Sequence, residues 1–149
     1  TYSHRIKTMI DTRVQHFIQR LNELNSDNVD AILPTVYSQN IEFIDPIKSL
    51  NGLPEVNHYF SEMYQGVEHC HFTAREHISE QHRYALEWTM NFKHKTLAKG
   101  RNIQVDGISH LRFHGQQICY HRDYYDLGAL IYEQVPLLGM FIRKIRHAL

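Results

Sequence analysis

A chain of 149 residues with sixteen Lys and Arg against sixteen Asp and Glu carries no net formal charge, so no long-range field gathers nucleic acid or anionic lipid, and neither is expected as a partner. The length suits one domain over residues 1–149 with one core, burying about two-thirds of the unfolded surface. No stretch reaches the roughly 20 apolar residues needed to cross a bilayer, and Thr1 to Asp11 lacks a signal peptide's apolar centre, so a cytoplasmic protein is expected.

From His4 to Leu24 the residues Ile6, Met9, Ile10, Val14, Phe17, Ile18, Leu21 and Leu24 recur at three- and four-residue steps, which predicts an amphipathic helix. Asn25-Ser26-Asp27 offers turn and N-cap chemistry for a short second helix running to about Tyr37, with Pro34 placed to cut or kink it. Ile41 to Ile44 is a short β-prone run ended by Asp45-Pro46. Asn51-Gly52 marks a turn, and Pro54 suits the first turn of a third helix carrying Val56, Tyr59, Phe60 and Met63, ended by Gly66.

Beyond Gly66 the period becomes two, predicting strands over Val67 to Ile78, Tyr84 to Lys95, Asn102 to Phe113 and Gln117 to Tyr125, with turns at Lys99-Gly100 and His114-Gly115. In the second of these Tyr84, Leu86, Trp88, Met90 and Phe92 share one face, so one side of the sheet is covered, and the three helices are the available cover. Leu127 to Leu149 is apolar, contains Pro136 and Gly139, and ends with Arg143, Lys144, Arg146 and His147; it reads as a broken helix packing across the opening rather than lying on a membrane. The architecture is α+β, three N-terminal helices against a strongly bent, mainly antiparallel sheet.

Two segments, Val36-Tyr37-Ser38-Gln39-Asn40-Ile41-Glu42-Phe43-Ile44-Asp45-Pro46 and His121-Arg122-Asp123-Tyr124-Tyr125-Asp126, together with this order of elements, resemble the nuclear transport factor 2-like superfamily, which includes ketosteroid isomerases, limonene epoxide hydrolases and SnoaL-like polyketide cyclases. The resemblance implies a cone-shaped α+β barrel with a pocket between helices and sheet, and pairing of two copies through the convex sheet face. It places Asp45 where the isomerases keep their general base, and Ser109 where they keep a protonated aspartate that donates to the oxyanion. The isomerases' helix-borne tyrosine has no counterpart, Phe17 and Gln19 being nearest. Asp123 falls on the epoxide hydrolases' catalytic aspartate, whose arginine-x-aspartate partner aligns with Trp88-Thr89-Met90 or Glu87-Trp88-Thr89. Either Asp123 or Asp126 matches the cyclases' acid/base.

Strand alternation turns His121, Asp123 and Tyr125 one way and Arg122 and Tyr124 the other. The expected pocket is lined by Phe17, Phe43, Trp88, Met90, Leu111, His121 and Tyr125, with Asp45, Asp123 and Ser109 as its catalytic candidates. Carboxylates among low-polarity walls suit acid/base work. The bland alternatives are that Asp45 caps the Ser49 to Gly52 turn, that Asp123 pairs with His121 or an arginine, and that Trp88 is core. His69 and His71 share a strand face, joined by His77 if no bulge intervenes, but structural zinc needs four converging ligands and no metal is expected. Cys70 and Cys119, far apart, read as buried reduced thiols. Tyr120, Tyr124, Tyr125 and Tyr132 cluster about the last strand, at a cavity mouth or a dimer interface. Two functions follow: a cofactor-independent isomerase-, cyclase- or hydratase-type enzyme with Asp45 as base on a small apolar, carbonyl-bearing ligand, or a non-catalytic ligand-binding or protein-interaction module using the same cone.

Overall fold

The computed structural model describes residues 11–131 and 138–149. The expected opening helix is present as α1 (Thr12–Asn22); its predicted first turns, with Ile6, Met9 and Ile10, lie outside the described residues, as do Tyr132 and Pro136. Val14, Phe17 and Leu21 form its buried face, each full burial stabilising by about 1.5–3 kcal/mol. Both ends of α1 are fastened to the sheet. Asp11 caps the helix by accepting from the Arg13 amide at 2.8 Å and also accepts from the Tyr84 hydroxyl at 2.7 Å, and the Tyr84 bond holds the Asp11 carboxyl below its ordinary pKa. At the other end the Asn22 side-chain amide donates to the Phe72 carbonyl at 2.9 Å and accepts from the Phe72 amide at 2.7 Å. A helix held at two points cannot sink onto the sheet, and a void is left beneath it.

A short helix α2 (Val29–Ile32) continues as a 3-10 turn over Leu33–Thr35, Pro34 tightening the helix rather than ending it. Strand β1 (Tyr37–Ile44) begins four residues before the expected run, so Tyr37 belongs to the sheet and not to a helix end. The polar Ser38, Gln39 and Asn40 are half-buried or exposed, which hides this part of the strand from hydrophobic periodicity. Ser49–Asn51, expected as a turn, is a short strand β2 that pairs antiparallel with Glu42 to Ile44. The reversal lies instead at Asp45–Lys48, where the Asp45 amide donates to the Lys48 carbonyl at 2.9 Å.

Helix α3 (Leu53–Tyr64) has Pro54 in its first turn and buries Leu53, Val56, Phe60 and Tyr64. The remaining strands are β3 (Val67–Glu80), β4 (Arg83–His94), β5 (Ile103–His114) and β6 (Gln117–Tyr125). The sheet order is β2-β1-β6-β5-β4-β3, antiparallel throughout except for the parallel β1–β6 pair. The β3–β4 hairpin turns without glycine, Gln81 taking the left-handed conformation at φ 55°. Between β4 and β5 a 3-10 turn over Leu97–Gly100 puts Ala98 and Lys99 in left-handed backbone, and the predicted His114-Gly115 turn has Gly115 at φ 63°.

Alternation along β4 is as expected: Tyr84, Leu86, Trp88, Met90 and Phe92 are all buried. Two irregularities redirect side chains. A shift between Arg112 and Phe113 in the β5–β6 ladder lets both Ile118 and His121 point inward. A second shift in β3 between Ala74 and His77 puts His77 opposite Leu86 on the inner side, with its ring 6.1 Å from Tyr84, while His69 and His71 remain exposed on the outer side. The three histidines therefore do not converge, because the bulge resets the parity between them.

The tail forms α4 (Leu127–Leu130) and α5 (Leu138–Ala148). Gly139, expected to interrupt this segment, lies within α5 and is buried there. None of the described helices is long and apolar enough to cross a membrane.

Candidate functional site

Between α1, α3 and the concave sheet lies a cavity of about 340 Å³, walled mainly by apolar and aromatic side chains. Its size is at the lower end of small-molecule pockets. Nine of the ten residues expected at the site border it: Asp45, Ser109, Asp123, Phe17, Phe43, Trp88, Met90, His121 and Tyr125. Leu111 does not; it is fully buried in the core beside Tyr84 and His121 in the sheet register, one ladder step beyond the void. Sequence reasoning missed Phe60, Tyr64 and Phe72, which complete the aromatic wall, Cys70 beside them, and Leu130 and Ile131, which the tail contributes.

A continuous run of hydrogen bonds crosses the cavity floor. The Trp88 indole donates to Ser109 Oγ at 2.8 Å, and the Ser109 hydroxyl donates to Asp123 Oδ1 at 2.5 Å. The same carboxylate oxygen lies 2.5 Å from His121 Nε2, and His121 Nδ1 lies 2.7 Å from the Tyr37 hydroxyl. Since a carboxylate only accepts, Nε2 carries the proton, and in the neutral imidazole Nδ1 is then the acceptor for Tyr37. The His121 ring is wedged edge-on between Phe17 at 5.5 Å and Phe43 at 4.9 Å, and its residue is 3% exposed. Tyr37 stays neutral, because burial and the nearby Asp123 charge hold its hydroxyl far above the ordinary range.

This geometry follows from register. Ser109 pairs with Asp123 across β5–β6, and Leu86, one step from Trp88 on the same face, pairs with Ser109 across β4–β5. Three adjacent strands thus present Trp88, Ser109 and Asp123 side by side. Gly107 makes room for the indole: a Cβ there would lie 2.3 Å from Trp88 Cη2. Trp88 is both core, at 2% exposure, and cavity wall.

Asp45 stands differently. Its Oδ1 accepts from the Ile47 and Lys48 amides, each at 2.7 Å, and its Oδ2 accepts from the Tyr59 hydroxyl at 2.7 Å. The capping expected of it is real, though it closes the Asp45–Lys48 turn rather than the Ser49 to Gly52 segment. Both oxygens are engaged. Asp123, by contrast, receives both of its bonds on Oδ1, and Oδ2 has no partner among the described residues. Asp126 caps α4 by accepting from the Ala129 amide at 3.1 Å and pairs with Arg146 at 3.4 Å, away from the cavity.

Three tyrosines lie at or beside the cavity, and of these Tyr64 is bonded to Cys70. Tyr59 is committed to Asp45, and burial, with that bond, raises its pKa well beyond the usual tyrosine value. Tyr125 borders the cavity with its hydroxyl unpaired among the described residues, and burial followed by the Asp45 and Asp123 charges raises it strongly too. It is therefore a neutral O–H donor facing the void. Burial also pushes the Cys70 thiol up to about 11. No cluster of metal-ligating side chains exists among the described residues.

Helices on the concave face of a curved six-stranded sheet, enclosing a small apolar cavity with a few polar groups on its floor, define a nuclear transport factor 2-like, small-molecule-pocket α+β cone. The chain belongs to the SnoaL-like domain family, whose pattern matches residues 14–121. Solved structures share the fold at low identity. A ketosteroid isomerase-like protein from Catenulispora acidiphila, in complex with trimethylamine, is 17% identical with a TM-score of 0.72, covering 85% of this chain and 93% of that one. A candidate polyketide cyclase from Acidithiobacillus ferrooxidans is 15% identical with a TM-score of 0.67, covering 85% and 96%. TerC, co-crystallised with polyporic acid, is 13% identical with a TM-score of 0.64, covering 79% and 94%. No curated protein matches the chain.

Proposed function

We propose that the cavity binds a small, mostly apolar, carbonyl-bearing organic molecule and that Asp123 moves a proton on it, in the manner of an isomerase or cyclase that needs no cofactor. The observation that carries this reading is the unpartnered Asp123 Oδ2 at a cavity wall, with Oδ1 fixed by Ser109 and His121. A base must be held still and keep one lone pair for the substrate, and its pairing donors must be oriented in turn; here Trp88 orients Ser109 and Tyr37 orients His121. The proton leaves a carbon next to the ligand's carbonyl for Asp123 Oδ2, the electron pair moves onto the carbonyl oxygen, and Tyr125 is the hydroxyl we assign as donor to the charge that develops. Protonation at a second atom of the ligand restores the carboxylate. Asp45 shapes the wall by holding the Asp45–Lys48 turn and Tyr59, both of its oxygens already accepting hydrogen bonds. The neighbours bound to trimethylamine and to polyporic acid support a small organic ligand in a cone of this kind.

The test uses 2-tetralone, a compact bicyclic ketone with acidic C–H bonds, in deuterated buffer. Wild-type protein is expected to accelerate hydrogen–deuterium exchange beside the carbonyl, and Asp123→Asn to lose roughly 10²–10⁴-fold of that acceleration, the usual share of a positioned base. Exchange that persists undiminished in Asp123→Asn would sink the assignment. Quenching of Trp88 by 2-tetralone without any exchange would leave the cavity a binding site and remove the chemistry.

A further inference from the structure

The cavity holds charge of one sign. Asp45 and Asp123 border it, and none of the described residues that line it is Lys or Arg. The lining histidines, His94 and His121, each accept at Nδ1, from the Thr96 amide at 3.2 Å and the Tyr37 hydroxyl at 2.7 Å, as a neutral imidazole does. A third acid, Glu62, is exposed and stands 3.3 Å from His58, so solvent screens it and it adds little. Asp45 has no cationic partner among the described residues. Its bonds come from two amides and a hydroxyl, which stabilise its charge without cancelling it. Both carboxylates act on the same space, since Asp45 and Asp123 together help to raise the Tyr125 hydroxyl above its ordinary value.

Aromatic rings make up much of the rest of the wall, at varied angles. Phe72 meets Trp88 at 82° with centroids 5.2 Å apart, Phe43 meets Phe60 at 76° and 5.4 Å, and Trp88 and Tyr125 are inclined by 56° at 6.2 Å. A void bounded by rings so inclined meets faces as well as edges, and a ring face is the negative side of its quadrupole. Charge of one sign between walls of low polarity concentrates the opposite charge. An anionic ligand is disfavoured in such a space, whereas a cation is attracted by the carboxylates and by the ring faces alike.

We infer that the ligand of this cavity is an organic cation, a tertiary or quaternary ammonium whose carbon frame also carries the carbonyl. The inference rests on the proposed reading of the cavity as a site for a carbonyl compound and adds a charge to that compound. The engaged oxygens of Asp45 set the kind of cation. An ammonium with one N–H or none is held by charge and ring faces rather than by hydrogen bonds, so it leaves the Ile47, Lys48 and Tyr59 bonds in place. The same charge meets a need of the proposed chemistry. Moving a proton to Asp123 leaves a negative enolate where the Asp45 charge persists, with the Tyr125 hydroxyl as donor and no lining Lys or Arg among the described residues. A cation on the ligand itself offsets the charge that develops.

The experiment compares two ketones of one shape: 1,1-dimethyl-4-oxopiperidinium, which is permanently cationic, and 4,4-dimethylcyclohexanone, which is neutral. Binding to the full chain is followed through the fluorescence of Trp88, the single tryptophan, and hydrogen–deuterium exchange beside each carbonyl is measured against buffer alone. Wild-type protein is expected to bind the cation about tenfold or more tightly than its neutral counterpart, and Asp45→Asn to lose roughly that preference, the Coulomb effect of one charge a few ångströms away at an effective dielectric constant of about 20. Asparagine keeps an oxygen for the Ile47 and Lys48 amides, and the ratio of the two affinities is the readout, so a general loss from a disturbed wall cancels. If the variant binds neither ketone, the wild-type ratio decides alone. Equal affinities in wild type, or a preference that Asp45→Asn leaves untouched, overturns the inference, while the cavity stands as a ketone site. Preferred binding of the cation without exchange of either ketone supports the inference and removes the proton transfer instead. Binding of neither ketone to wild type overturns both.

Discussion

The bond between Tyr37 and His121 offers a quantitative test of the cavity floor. His121→Phe keeps a flat ring against Phe17 and Phe43, whose centroids lie 5.5 and 4.9 Å from the imidazole, but leaves the Tyr37 hydroxyl without its acceptor. Tyr37 is 1% exposed, so water cannot readily replace the lost partner, and an unsatisfied buried hydroxyl costs about 1–3 kcal/mol. Tyr37→Phe alone deprives His121 Nδ1 of its donor, with a cost of similar size. The double variant removes both polar groups and leaves two packed rings, and its cost should fall short of the sum of the single costs by about 1–3 kcal/mol. Packing strain from the bulkier phenyl ring is common to His121→Phe and the double variant, and cancels in the cycle if the surroundings relax alike. Urea denaturation followed by far-ultraviolet circular dichroism measures all four corners. Additivity within about 0.5 kcal/mol would refute the hydrogen bond and, with it, the role of Tyr37 in orienting His121.

Two further outcomes follow from the same cavity. Gly107→Ala sets a Cβ within 2.3 and 2.4 Å of two indole carbons; the ring must move, which is expected to cost about 1–3 kcal/mol in urea denaturation and to shift Trp88 emission, whereas an unchanged spectrum and stability would contradict the placement of the indole. Cys70, raised to about 11 by burial, should resist iodoacetamide until the pH approaches that value, because the thiolate is the nucleophile. Its sign in stability is that of a group kept neutral: the contribution is complete below the unfolded pKa and is lost as pH rises from there through the folded value. Rapid modification of native Cys70 near pH 8, identified by peptide mapping, would contradict the burial.

Much of this arrangement is legible in the sequence because a strand's two-residue period survives translation into faces. Alternation alone turns His121, Asp123 and Tyr125 inward together, and sets Trp88 and Met90 on the same cavity side. What escapes is whatever depends on a single added residue or on a contact between distant elements. The β3 bulge separates His77 from His69 and His71, and nothing in the local residue types announces it. Tyr37 is hidden because Ser38, Gln39 and Asn40 break the apolar pattern of β1, and Gln81 turns a hairpin without the glycine that ordinarily signals one. Helical spacing assigns Tyr59 to α3, but not the destination of its hydroxyl, Asp45, fourteen residues earlier.

That last contact is one reason the base we propose is Asp123. The resemblance to the isomerases implies a base at Asp45, and Asp45 does border the cavity, yet position is only half of what a base needs. At Asp45 two amides share Oδ1 and the Tyr59 hydroxyl occupies one side of Oδ2, so a ligand would meet only the remaining side of an oxygen already engaged. At Asp123 both donors converge on one oxygen, and the other has no partner among the described residues. The donors themselves differ in kind as well. Amides at Asp45 belong to its own turn, whereas Ser109 and His121 are side chains from the sheet, each oriented by a second buried group, Trp88 or Tyr37. A site built on three adjacent strands keeps its geometry when a loop moves. Two aspartates in one cavity thus differ in their hydrogen bonds: Asp45 holds a turn and Tyr59, and Asp123, the base we propose, keeps one oxygen without a partner among the described residues.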